Sequence, residues 1–301
     1  MGMIAAERAA VVADLTPPFH LVEPRVQRTP LVFCSPHSGR VYPRALLQSS
    51  RLDAHTLRKS EDCYVDELFA GVVGHGAPMI AARFPRAFVD ANREPYELDP
   101  DLFVERPPAF ANTQSVRVVG GLGTIPRIVA DGEEIYAERL PLALGLERIE
   151  LLYRPFHSML TGLIEQTRRR FGMAVLIDCH SMPSTNSGQP ASQRPHFVIG
   201  DRFGASCDQR LTRLVRDCLT GLGYDVQLNR PYAGGFITEH YGKPTGRIHA
   251  LQIEINRALY LDETTLERTS GMGPLTSAIE HLTARLVEAL PTVEARREAA
   301  E

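Results

Sequence analysis

The chain has 301 residues and a mass of 33.4 kDa, enough for one large α/β domain and for burial of roughly three quarters of its unfolded surface. Its formal charge of −3 and pI of about 6.4 supply no electrostatic reason to expect nucleic acid or an anionic membrane as partner. Apolar runs such as Ala174-Val175-Leu176-Ile177 fall far short of the roughly 20 residues a membrane span needs.

Met1 to Asp14 carries Glu7, Arg8 and Asp14 and lacks a compact apolar stretch, so no secretory leader is expected. Apolar runs predict buried strands at Leu31–Cys34, Pro78–Ala82, Ala174–Cys179, His196–Ile199 and Ala250–Ile255. Helical spacing is read over Glu61–Gly71, with Val65, Leu68 and Phe69 on one side. It recurs over Glu147–Phe171, with Leu151, Leu152, Phe156, Met159, Leu160 and Leu163. Phe203–Leu222 and Gly273–Leu290 repeat it, and the tail from Glu294 to Glu301 is expected to fray. Strands alternating with helices predict an α/β fold with a mostly parallel sheet covered on both faces, in a single domain. Ligands of such sheets bind at the carboxyl ends of strands.

Three predicted strands stop at residues that can do chemistry. Leu31–Cys34 leads into Ser35, Pro36 and His37; Ala174–Ile177 leads into Asp178, Cys179, His180 and Ser181; and Leu251–Ile255 contains Glu254. Two histidines and a carboxylate with one open position is the usual donor set of a catalytic zinc, and a further carboxylate must take a proton from the activated water. His37 and His180 are the candidate ligands. The third position stays open between Glu61 and Asp62 at the start of a predicted helix, because Arg40 occupies the place an HxxE motif would give to an acid. Asp178 is a candidate to orient an imidazole. Glu254, a carboxylate inside an apolar strand, is costly there unless paired or functional.

Asn92-Arg93 pairs an amide with a guanidinium, a combination suited to a substrate carboxylate, and Asn256-Arg257 repeats it. Pro231–Phe236 and Gly120–Thr124 match no phosphate-binding pattern and read as tight loops beside the pocket. The five cysteines, Cys34, Cys63, Cys179, Cys207 and Cys218, form no CxxC pair and fit buried thiols in a reducing cytoplasm. Cys34 and Cys179 are alternative nucleophiles, though an apolar strand end disfavours the thiolate.

Taken in order, the segments SPHSGRVYP, SEDCYVDELF, FVDANREP, GLGTIPR, DCHSMPS, NRPYAGGFITEHYG and HALQIEINRALYLDE resemble the N-formylglutamate amidohydrolase family from about residue 30 to residue 265. The resemblance implies a mixed, mainly parallel sheet between helices, similar to zinc carboxypeptidases and aspartoacylases, with one zinc ion per chain. It implies His37, Asp62 and His180 as ligands and Glu254 as general base. It also implies Asn92 and Arg93 as the substrate-carboxylate pair, with Arg257 a second anion contact. The activity implied is hydrolysis of N-formyl-L-glutamate to formate and glutamate, late in cytoplasmic histidine breakdown. The stretch Met182–Pro195 and the segment after Asp99 depart from the family pattern, leaving the acyl group and side chain of the substrate open. Rival readings are the same metal chemistry on another N-acyl amino acid or short peptide, and a catalytically silent protein that binds an acidic metabolite.

Overall fold

The computed structural model describes residues 3–129, 132–184 and 194–290. Seven strands form one sheet in the order β1-β3-β2-β4-β7-β5-β6. They are β1 Phe19–Val22, β2 Leu31–Ser35, β3 Met79–Ala82, β4 Ala174–Met182, β5 Phe197–Gly200, β6 Val226–Leu228 and β7 Ile248–Asn256. Strand β4 pairs in parallel with β2 and β7, and β5 with β6, while β5 runs antiparallel to β7. The fold is α/β with a mixed, mostly parallel sheet and flanking helices. All five predicted strands exist. The two not singled out, β1 and β6, have four and three residues and lie at the sheet edges, where few apolar positions are needed.

Two compact units are distinguishable: Met1–His20 with Pro36–Glu61 and Ala81–Met159, and Leu21–Ser35 with Asp62–Ile80 and Leu160–Glu301. The second is built on the pleat. Phe33, Val175, Ile177, Cys179, Leu251, Ile253, Ile255, Phe197 and Ile199 face a core completed by Val65, Leu68, Val215, Leu219, Ile279 and Leu282. Side chains alternate across a strand, so the residues between them point to the other face. In β4 and β7 these include Asp178, His180, Gln252 and Glu254, with His180 paired to Glu254 in register. Both strands are almost wholly buried while one face of each carries the charged and amide side chains.

In the first unit, Arg148 is fully buried. It donates from Nε to Glu7 at 2.6 Å and from Nη1 to the Tyr136 hydroxyl at 2.7 Å, and lies 4.0 Å from the centre of the Phe88 ring. That partnership brings the helix Met3–Leu15 onto a charge that would be costly alone.

Three helical expectations need correction. The run Phe203–Leu222 is an α-helix only over Gln209–Gly221, because Phe203 at φ 56° and Gly204 at φ 87° are left-handed. The segment Glu61–Gly71 is not one helix: a single turn spans Val65–Leu68 and a 3-10 turn Ala70–Val73. Tyr64, at φ 61°, is left-handed and cannot continue a helix from Glu61. Its hydroxyl donates to the Leu266 carbonyl and its ring lies under Arg268 at 4.4 Å, contacts no helical pattern encodes. Asp62 therefore sits in a turn, not in a helical first turn. The run Glu147–Phe171 is helical throughout but interrupted: Leu142–Arg148 passes through a π turn, Ile149–Tyr153, into Arg154–Phe171. Pro155 has no N–H to donate into that turn.

Candidate metal centre

Asp62 and His180 meet directly. The carboxylate Oδ2 lies 2.9 Å from His180 Nδ1, and both side chains are buried. Ligands of one tetrahedral zinc, bound at about 2.0–2.2 Å, stand roughly 3–3.5 Å apart, so this spacing suits two donors of a single ion. The other carboxylate oxygen of Asp62 accepts from Arg257 Nη2 at 3.1 Å. On the far edge of the His180 ring, Nε2 lies 3.0 Å from Asp178 Oδ1. Burial would lower the His180 pKa, but Asp178, Asp62 and Glu254 raise it well above its ordinary value. Three carboxylates thus favour a positive charge at this point, whether a proton or a divalent cation that replaces it.

His37, two residues beyond β2, is held by a residue that sequence reasoning did not single out. Its Nε2 lies 2.7 Å from Asp90 Oδ1. Burial opposes ionisation of Asp90, yet Arg93, Arg86 and His37 hold its carboxyl well below the usual range. An ionised Asp90 only accepts, so the Nε2 of His37 carries the proton and Nδ1 keeps the lone pair that can meet a cation. His37 and His180 are therefore placed alike, each with Nε2 on an aspartate. One donor atom from each of His37, Asp62 and His180 lies within 4.8 Å of the others, and all three side chains are buried. The three side chains form a group that could hold a metal ion. Asp90 stands two residues before Asn92 in the same polar run, but its hold on His37 is a contact the run does not encode.

Glu61, the other carboxylate considered, is engaged elsewhere, accepting from the Tyr42 hydroxyl at 2.7 Å and from Arg58 Nε at 3.1 Å. Glu254 lies across from His180 and accepts from Gln252 Nε2 at 2.8 Å. Gln252 in turn accepts from the Gly235 N–H at 2.9 Å, which ties the Pro231–Phe236 loop to the face carrying Glu254.

Arg93 is 5% exposed. It donates from Nε to the Leu122 carbonyl at 2.9 Å and from Nη1 to the Asn92 carbonyl at 2.7 Å. Its Nη2 lies 3.2 Å from Asp90 Oδ2 but makes no hydrogen bond there. Burial is the main reason its pKa falls to about 10, with Asp90 opposing. The Arg93 guanidinium is thus held by two carbonyls and by its ion pair with Asp90. The second arginine, Arg257, donates from Nε to Ser181 Oγ and from Nη2 to Asp62, so the anion it contacts here belongs to the chain itself. Asn92 donates its backbone N–H to Asp90 Oδ1 at 2.8 Å. Burial pushes the thiols of Cys34 and Cys179 up well above their ordinary value, which leaves no thiolate to act as nucleophile.

These features define an α/β fold whose sheet carries a buried His–Asp–His cluster able to hold a metal ion. The model of the N-formylglutamate amidohydrolase family matches residues 29–261. The chain is 32% identical over 241 residues to N-formylglutamate deformylase of Pseudomonas putida, covering 79% of this chain and 84% of that protein. It is 30% identical over 240 residues to the deformylase of Pseudomonas aeruginosa. The crystal structure of N-formylglutamate amidohydrolase from Ralstonia eutropha superposes with a TM-score of 0.84 at 35% identity, covering 93% of this chain and 99% of that one. A protein from Agrobacterium tumefaciens shares the fold, with a TM-score of 0.66 at 17% identity. The chain belongs to the N-formylglutamate amidohydrolase family. Part of the divergent stretch Met182–Pro195, residues 185–193, lies outside the described residues.

Proposed function

We propose that the chain hydrolyses the amide of N-formyl-L-glutamate, or of a closely related N-acyl amino acid, to formate and the free amino acid. The observation that carries this reading is the buried donor set His37, Asp62 and His180, with a carboxylate behind each imidazole and Glu254 in register with His180. One zinc ion held by these three side chains would supply an activated water and polarise the amide carbonyl.

The remaining steps belong to the protein. Asp90 fixes the tautomer and direction of His37, and the Asp178 carboxylate lies against Nε2 of His180. Glu254 takes a proton from the attacking water and returns it to the nitrogen of the leaving amine, so the C–N bond breaks without expelling an amide anion. Arg93 and Asn92 hold the substrate carboxylate and thereby set which amide reaches the metal. Arg257 holds the Asp62 carboxylate in direction through an ion pair of 3.1 Å. On this reading the chain acts on a small N-acyl amino acid in cytoplasmic histidine breakdown.

The test is formate release from N-formyl-L-glutamate by zinc-loaded and metal-stripped protein side by side. Release that depends on zinc is expected. Release undiminished after complete stripping would overturn the metal role, and zinc-loaded protein that cleaves only other N-acyl amino acids would overturn the substrate.

A further inference from the structure

The residues offered for the substrate carboxylate lie on an irregular loop, and loops do not hold a guanidinium still unaided. The Leu122 and Asn92 carbonyls and Asp90 hold the guanidinium itself, and the backbone that carries it is held from the helix that contains the π turn. Tyr153, the last residue of that turn, donates its hydroxyl to the Arg93 carbonyl at 2.6 Å. His157, one helical turn later, lies with Nε2 2.8 Å from the Ala91 carbonyl, a partner that only accepts, so Nε2 carries the proton. The two rings are tilted against each other with centroids 4.2 Å apart. The carbonyls on either side of residue 92 are thus both held by neighbouring side chains of one helix. Asp90 Oδ1 takes the Asn92 N–H between them. Arg148, immediately before the π turn, lies against Phe88 at the start of the same loop.

The widened turn makes this possible. Residues five apart, such as Arg148 and Tyr153, diverge by about 140° on a regular helix with 3.6 residues per turn. The π turn over Ile149–Tyr153 reduces that divergence, so Arg148, Tyr153 and His157 all reach the segment 88–93. Such turns often mark functional positions.

We propose that Tyr153 and His157 are positioning residues of the substrate-carboxylate grip, clamping the backbone on both sides of Asn92 so that the Arg93 guanidinium is held ready before substrate arrives. The proposal deepens the N-acyl amino acid reading above and rests on it for the identity of the ligand. A preorganised donor lowers the cost of binding without touching the reacting atoms, so its loss falls on KM and spares kcat.

The experiment compares Tyr153→Phe with the wild type, both zinc-loaded, by hydrogen exchange and by steady-state kinetics on N-formyl-L-glutamate. Expected are amide exchange at Asn92–Glu94 about tenfold faster with no change in β4 or β7, a five- to tenfold rise in KM, and kcat within about twofold, as for loss of one hydrogen bond. Unchanged exchange at Asn92–Glu94 would overturn the clamp, as would equal acceleration throughout the protein. A fall in kcat at constant KM would overturn the link to the carboxylate. Exchange needs no substrate, so it decides the clamp even where wild-type protein leaves N-formyl-L-glutamate intact, the outcome that would sink the substrate assignment instead. Should Tyr153→Phe fail to fold, His157→Ala is read in the same way.

Discussion

At the scale of single residues, the chemistry turns on what each carboxylate faces. Asp62 faces His180 and Glu61 faces Tyr42 and Arg58, so two adjacent acids that look equivalent in the sequence have separate tasks. Glu254 is buried at 8% exposure and has a partner in Gln252, yet lies beside the imidazole that the metal reading needs. Glu254→Gln keeps the shape and the capacity to bond Gln252 while removing the proton acceptor. Turnover is expected to fall about 10²–10⁴-fold, with zinc content by atomic absorption unchanged. Full activity in that variant would remove Glu254 from the mechanism. His37, His180 and Glu254 were legible because each interrupts or ends an apolar run, where a polar group needs a reason. Asp90 was not, because its importance comes from ion pairs with Arg86 and Arg93 and from its hold on His37, contacts that no spacing rule encodes.

At the scale of elements, strands were read more accurately than helices, and for a physical reason. A strand buried on both faces announces itself as a short apolar run bounded by polar residues, as at Leu31–Ser35 and Ala174–Met182. Helix ends depend on individual backbone torsions, and Tyr64 and the π turn after Arg148 show how tertiary contact and a proline override periodicity. Where a cap is written in the sequence, the end is sharp. The helix Gln209–Gly221 starts at Asp208, whose side chain accepts from the Arg210 N–H. The Arg210 side chain and that N–H lower the Asp208 carboxyl to about 2 from 3.8. A carboxyl depressed in the folded state stabilises fully above its unfolded pKa and loses its contribution as pH falls through the folded one. The stability gap between wild type and Asp208→Ala is expected at roughly 0.5–2 kcal/mol near pH 7, shrinking as pH drops from about 4 towards about 2. Urea titrations of both proteins across that range would show it, and a gap independent of pH would refute the ionised cap.

At the scale of the molecule, family membership and fold agree: the matched region, residues 29–261, contains all seven strands except β1. No helix of the described residues is long and apolar enough to cross a membrane. Because His37, Asp62 and His180 come from distant parts of the sequence, an ion held by all three binds the folded chain and not the unfolded one. Zinc at 100 times its Kd should then stabilise by about 2.7 kcal/mol. A rise in Tm with added zinc, reversed by a chelator and blunted in Asp62→Asn, is the expected calorimetric result; a Tm indifferent to zinc would argue against the site.

The pleat of β4 has a consequence for how such a sheet can change over generations. Core and reactive side chains occupy alternate places along one nine-residue strand, so the strand behaves as a parity code. Losing one residue before Asp178 would send His180 into the place of Cys179 and Cys179 into the place of Asp178, whereas losing two would restore the sense while shortening the strand. Substitution can therefore explore the reactive face one residue at a time, but insertion and deletion are confined to even steps here and fall more freely on the connecting loops.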